Sequence, residues 1–292
     1  MTDRPFYERW FIAVFEPQPI VRLELVRILA PLAILAFLSS RLIHPDDWLS
    51  SAGFRLPALE GDWRQPLSLP PIPSAAAWGV AIVLALSGLA TAAGALTRWA
   101  SPVFAALLAY VTLADRLEAF TVSKLGTVIA IALAVSPCGF RISVDGWRRR
   151  RRDKTYVAPE LCSGGSVRFF QLMLPVFYFS SGLCKASGDW LHDPLVLWSH
   201  VHDSYQTSIA WFAANHLTAW MWTAMQYTAL VFEIGAPIWF GLPWTRKYAL
   251  VYGIAMHTLI GLMFGPVLWF ALLMISLLVA SYGPIGRLRR LP

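Results

Sequence analysis

Residues 74–97 read SAAAWGVAIVLALSGLATAAGALT, 24 positions without an Asp, Glu, Lys or Arg. A helix needs about 20 mainly apolar residues to cross the hydrocarbon core of a bilayer. This stretch meets that length, with Pro73 before it and Arg98 after it. Working outward, apolar runs recur at about 22–43, 100–117, 122–138, 167–187, 216–241, 247–264 and 267–283. The expected fold is therefore all-α: a polytopic membrane bundle of about eight transmembrane helices in one domain over residues 1–292.

Composition supports this class. The chain is 57% hydrophobic and 14% charged, with a mean hydropathy of +0.55. Soluble domains carry about 25% charged residues. Soluble, disordered and nucleic-acid-binding classes are excluded despite the net charge of +7.

The basic residues instead orient the bundle. With both termini on one side, that side holds Arg4, Arg9, Arg98, Arg141, Arg148, Arg149, Arg150, Arg151, Arg152, Lys154, Arg246, Lys247, Arg287, Arg289 and Arg290. The opposite loops hold Arg55, Arg64, Arg116 and Lys124. Because cytoplasmic loops are enriched in Lys and Arg, both termini are expected in the cytoplasm, and 139–166 is the basic cytoplasmic loop. The run Arg148–Arg152 is read first as a topology signal, with lipid binding as the alternative.

Residues 1–21 are expected at the membrane interface, given Phe6, Tyr7, Trp10, Phe11 and Phe15. They lack the pattern of a cleaved signal peptide. Two long outer loops follow from the span assignment. Residues 44–73, with Pro45, Pro57, Pro66, Pro70, Pro71 and Pro73, are expected to be turns or extended chain rather than helix. Residues 188–215 hold Asp189, Trp190, His192, Asp193, His200, His202 and Asp203. Cys138, Cys162 and Cys184 show no disulfide or redox spacing.

Ionisable groups within a span are functional candidates by default, because burying them in lipid is costly. Lys185 lies near the outer end of its span. Burial readily lowers a lysine pKa, so Lys185 is a candidate base; the alternative is an amine that snorkels to the headgroups. Glu233 lies within the sixth span and is expected to form a structural ion pair with Arg27 of the first. Glu24–Arg27 at i,i+3 is an alternative pairing, and a proton relay an alternative role for Glu233. His257, in the seventh span, is a candidate hydrogen-bond partner for a substrate oxygen or a proton shuttle; the alternative is a histidine bonded to a neighbouring helix. The second span-buried histidine that a haem site would use is missing from the sequence, so haem is not expected. The spacing of His192, His200 and His202 matches no zinc signature, so no metal is expected. Walker, nucleophile-elbow and HExxH motifs are absent from the sequence.

The block from Arg168-Phe169-Phe170-Gln171 through Tyr178-Phe179-Ser180-Ser181-Gly182-Leu183-Cys184-Lys185 to Gly188-Asp189-Trp190-Leu191 resembles the HTTM domain, the membrane part shared by vitamin K-dependent gamma-carboxylase and many bacterial relatives. The region Arg22–Ile28, Glu233–Pro237 and the span of His257 give further matches. In the carboxylase the lysine of this block acts as a base on a reduced quinone. The resemblance therefore implies Lys185 as catalytic base, His257 as its catalytic partner, and Tyr178, Asp189 and Trp190 as substrate-binding residues. It also implies a quinol or lipid-like substrate, a quinone cofactor and a bacterial cytoplasmic (inner) membrane. The chain ends nine residues after the last expected span, so the large extramembrane domain of the animal carboxylase is not expected, nor is peptide carboxylation. The competing expectation is a non-catalytic accessory or scaffold subunit with a membrane protein partner; transport is a third, weaker one, since no paired repeats are visible.

Overall fold

A computed structural model describes residues 5–54, 69–114, 120–202 and 206–285. Arg4, Arg55, Arg64, Arg116, Arg287, Arg289, Arg290, Pro57, Pro66 and Asp203 lie outside the described residues, as do the side chains of Phe6, Arg9 and Trp10. The described chain is all-α. It holds thirteen α-helices and one antiparallel pairing of Gln18–Pro19 with Leu161–Cys162. It divides into two compact units, one formed by Pro17–Ser166 and one by Met1–Glu16 with Val167–Pro292.

In the unit Pro17–Ser166, four long helices form the body: α2 (Val21–Ile43), α4 (Ser74–Ala93), α5 (Thr97–Ala114) and α6 (Thr121–Ala134). α4 packs on α2 and α5, α5 packs on α6, and α6 returns to α2, which closes the ring. The ring buries Leu23, Ile34, Leu84, Phe104, Leu108 and Ile129. Small residues let the helices approach, as expected where lipid removes the hydrophobic drive between helices. A Cβ on Gly88 would meet Phe104 and Leu35, and one on Gly126 would meet Ile34. α4 ends at Gly94 in the left-handed region, φ 66°, a conformation that glycine adopts without a Cβ clash.

Short helices fill the segments between the long ones. α3 (Asp46–Leu49) corrects the expectation of a helix-free outer loop. Pro45 precedes its first residue, where a missing N–H costs nothing and the fixed φ favours helix. The side chain of Asp46 then accepts from Trp78 Nε1 at 2.8 Å, tying this loop to the start of α4. α7 (Val144–Arg152) carries the arginine run and is capped by Ser143, whose hydroxyl accepts from the Gly146 amide.

The second unit contains α1 (Phe6–Phe15), α8 (Gly164–Ala186) from Val167 onward, α9 (Val196–Val201), α10 (Ser208–His216), α11 (Ala219–Gly241), α12 (Arg246–Met263) and α13 (Leu268–Tyr282). α12 packs against α13 and α11. The segment after α8 is not open loop. A 3-10 turn at Asp189–Leu191, then α9 and α10, build a small core of Val201, Ala210, Ala213, Trp222 and Met263 against the N-terminal half of α11.

The long helices α2, α4, α5, α6, α8, α11, α12 and α13 lie where apolar runs predict them, within a few residues. Three segments, Ser74–Ala93, Gly164–Ala186 and Gly265–Tyr282, are long and apolar enough to cross a membrane among the described residues. α6 has 14 residues, and α2 carries Arg22, Glu24, Arg27 and Arg41 within its length.

Candidate functional site

On α8, Tyr178, Gly182 and Lys185 follow the i, i+4, i+7 spacing of one helix face. This face meets α11. A Cβ on Gly182 would sit 2.9 Å from the Ile234 amide nitrogen and 3.0 Å from Glu233 Cβ, so glycine is what allows the two backbones to touch. One turn further on, Lys185 Nζ donates to Glu233 Oε1 at 2.5 Å. The Lys185 side chain is 28% exposed and that of Glu233 7%. The ammonium also lies over the Trp190 ring, 4.8 Å from its centroid, which adds a cation–π contact.

Lys185 is in the last turn of α8, whereas Glu233 is 14 residues into α11, about 21 Å along its axis at 1.5 Å per residue. α11 therefore continues well past the end of α8, and the Asp189–Leu191 turn and α9 pack along that extension. The amine is thus paired with a carboxylate of α11 beside this cap.

Gln226 holds the cap. Its Nε2 donates to the carbonyls of Trp190 at 2.9 Å and Asp193 at 2.7 Å, and its Oε1 accepts from the Leu197 amide at 3.0 Å. The residue is fully buried. It positions the backbone that carries Trp190, a role that sequence reading missed. The available signal was a lone amide side chain among the apolar neighbours of its span.

The second part of the site is Tyr178 with His257 of α12. The Tyr178 hydroxyl and His257 Nε2 are 2.7 Å apart, and both residues are buried. Tyr178 is stacked parallel to Phe240 and edge-on to Phe232, while His257 is edge-on to Phe270. His257 Nδ1 and Glu233 Oε2 are buried and have no hydrogen-bond partner among the described residues. Phe232 is the chain neighbour of Glu233 and the ring neighbour of Tyr178, so the two polar pairs are joined through it.

Of the expected site residues, Lys185, Trp190, Tyr178 and His257 thus come together in one unit. Asp189 is exposed and contributes its carbonyl, which accepts from the His192 and Asp193 amides. His200 and His202 donate from Nδ1 to the carbonyls of Val196 and Trp198.

The expected Arg27–Glu233 pair is corrected. Glu233 takes Lys185, and Arg27 is used within its own unit. Arg27 Nη1 donates to the carbonyls of Thr91 at 2.8 Å and Ala92 at 2.6 Å, and Nη2 donates to that of Ile142. Glu24 Oε1 accepts from the amides of Arg141 at 2.6 Å, Ile142 at 3.1 Å and Phe140 at 3.3 Å. The two side chains satisfy helix-end and loop backbone groups that would otherwise be buried without partners.

The HTTM domain model matches residues 15–281. The chain belongs to the HTTM domain family. It is a membrane protein of gamma-carboxylase-like type, and the HTTM match covers every residue of the site just described, with the Arg27–Glu24 cluster besides. Comparisons with curated proteins and with solved structures returned no match.

Proposed function

We propose that this HTTM protein is a membrane enzyme in which the Lys185–Glu233 pair takes a proton from a hydroxyl of a quinol or lipid-like substrate. The observation that carries this reading is the unequal state of the Glu233 carboxylate. Oε1 is held by the Lys185 ammonium, while Oε2 is buried and free to accept. A carboxylate left half-satisfied in low dielectric is under-stabilised and gains from a hydroxyl donor.

The step balances without any further group. The substrate O–H bond breaks, its proton goes to Glu233 Oε2, and the oxygen keeps the electron pair. The Lys185 ammonium, released from a neutral carboxyl, then pairs with the new oxyanion. Lysine thus works with its partner rather than as a free amine. The Tyr178–His257 pair and the rings of Phe232 and Trp190 are the groups that would orient a flat, aromatic substrate beside it. A reduced quinone fits this set of one acceptor, one cation and several rings.

The topology that accompanies this reading has α2, α4, α5, α6, α8, α11, α12 and α13 all crossing, both termini in the cytoplasm, and α7 in the basic inner loop. The bacterial cytoplasmic membrane is the proposed location. The lopsided distribution of Lys and Arg along the sequence supports the orientation.

Quinol turnover by the purified protein in nanodiscs tests the proposal. A general base contributes about 10²- to 10⁴-fold, so Glu233→Gln and Lys185→Met should each lose at least about 100-fold while remaining monodisperse. Wild-type turnover in Glu233→Gln would end the proposal. A second reading, an accessory subunit, is favoured by Trp211, Phe212 and Trp220, which stay exposed on and beside the cap. It expects a stoichiometric membrane partner after gentle solubilisation, lost on Trp220→Ala and retained in Lys185→Met.

A further inference from the structure

α7 and the loop that precedes it enclose a second feature, in the unit Pro17–Ser166. A pocket of about 690 Å³ opens between the start of α5, the end of α6 and one face of α7. Arg98, Arg148, Arg149 and Arg152 line it, with Asp145 as the acidic residue of the lining. The last three arginines are spaced i, i+1, i+4, which places them on one side of α7.

Asp145 offsets only one of these four positive charges. Its Oδ1 accepts from the Leu96 amide at 2.9 Å, and its Oδ2 accepts from the Thr97 amide and hydroxyl at 2.8 and 2.9 Å. Both oxygens are spent on the turn before α5. Arg150 donates to the Arg141 carbonyl and Arg151 lies over Trp147, neither lining the pocket, whereas Arg149 lies over Phe140 and Arg98 over Trp99, two rings that do line it. A topology signal requires only a count of cations. It does not require that three of five be gathered with Arg98 around one cavity.

The rim of this pocket is apolar and exposed. Leu96 is 61% exposed, Trp99 69% and Val135 81%, and all three line the same cavity. A free phosphate would have no use for such a rim, but a lipid presents an anionic phosphate above an acyl region. Arginine forks suit phosphate oxygens, tryptophan favours the level where headgroup meets chain, and basic pockets beside membrane helices hold anionic headgroups.

We propose that this pocket is a binding site for an anionic phospholipid, with Arg98, Arg148, Arg149 and Arg152 around its phosphate and Leu96, Trp99 and Val135 against its chains. The site is separate from Lys185 and Glu233 and stands whether or not that pair is catalytic.

Native mass spectrometry of the full-length protein in detergent, with phosphatidylglycerol or phosphatidylcholine added, tests it. A surface cation is worth about 1 kcal/mol toward an anionic lipid, so Arg148→Gln/Arg152→Gln should retain roughly 10- to 30-fold less phosphatidylglycerol. Arg150→Gln/Arg151→Gln removes the same charge from outside the pocket and should retain it as wild type does. Trp99→Ala should weaken lipid retention. Equal retention of the two lipids by wild type would overturn the proposal, as would equal losses in the two charge variants. Full displacement of the lipid by millimolar inorganic phosphate would make it a free-phosphate site and overturn it also. If Arg148→Gln/Arg152→Gln fails to fold, the wild-type lipid comparison and Trp99→Ala still decide.

Discussion

Lys185 on α8 and Glu233 on α11, 48 positions apart in the chain, form a 2.5 Å ion pair in which Glu233 is almost wholly buried. Removing one partner from such a pair leaves the other as an uncompensated charge. Lys185→Met and Glu233→Gln should therefore each destabilise the protein more than the double variant does. The coupling expected from a thermal double-mutant cycle is about 1–3 kcal/mol. Additive losses would show that the contact carries no net energy.

Gly182→Ala tests the helix contact beneath that pair. The added methyl would meet the backbone nitrogen of Ile234, which cannot rotate away as a side-chain tip can. Overpacking of this kind costs about 1–3 kcal/mol, and the separation of α8 from α11 should stretch Lys185 away from Glu233. A lowered melting temperature is expected together with a turnover loss approaching that of Glu233→Gln.

Tyr178→Phe would remove the hydroxyl and leave His257 with both ring nitrogens unpartnered. The expected cost is about 1–3 kcal/mol. Because an apolar pair of similar shape is tolerated better than half a polar pair, Tyr178→Phe/His257→Leu should recover part of the stability and none of the activity. Thermal melts and quinol turnover of the same three samples give both answers.

Arg27→Lys should not rescue what Arg27 does. The guanidinium reaches three carbonyls from two nitrogens, a fork that a single ammonium cannot reproduce. With the carbonyls of Thr91, Ala92 and Ile142 left short of donors, a loss of about 3 kcal/mol is expected. Thermal stability of Arg27→Lys equal to wild type would show that charge rather than geometry is what this position needs.

Asp145 lies on α7, outside the proposed spans. Partial burial works to raise its carboxyl, but donation from the Thr97 and Leu96 amides and the Thr97 hydroxyl, with Arg149 nearby, holds it below the ordinary carboxylate value. A depressed folded value adds stability above the unfolded value of about 3.9 and loses it as pH falls through the folded value. Wild type should therefore outmelt Asp145→Asn at neutral pH, with the gap closing only below about pH 4. A gap independent of pH would mean that shape, not ionisation, makes this cap.

Much of the fold could be read in advance. A run of 24 residues without Asp, Glu, Lys or Arg, as at 74–97, has few alternatives to helix, because a backbone that enters lipid must satisfy its own hydrogen bonds. The short helices α3, α9 and α10 were not legible. Each is stabilised by packing or by a cap, such as the Thr207 hydroxyl accepting from the Ala210 amide, and not by a long periodic pattern. The candidate residues were legible where ionisable groups interrupt apolar sequence, as at Lys185, Glu233 and His257. Gln226 went unnoticed because an uncharged amide interrupts far less.

The class, the positions of the long helices, the family and the residues with a cost to explain are all readable from the chain alone. Those follow from local properties: chain polarity, helix period and the expense of placing charge in lipid. Partnership depends on how the helices pack. Charge alone makes Arg27 as good a match for Glu233 as Lys185 is, and the choice falls to Lys185 because Gly182 lets α8 touch α11 there. Arg27 meanwhile is surrounded by backbone carbonyls that need its donors. The same holds for the arginine run of α7, where composition supplies five cations in a row and the packing of α5, α6 and α7 turns three of them, with Arg98, toward one pocket.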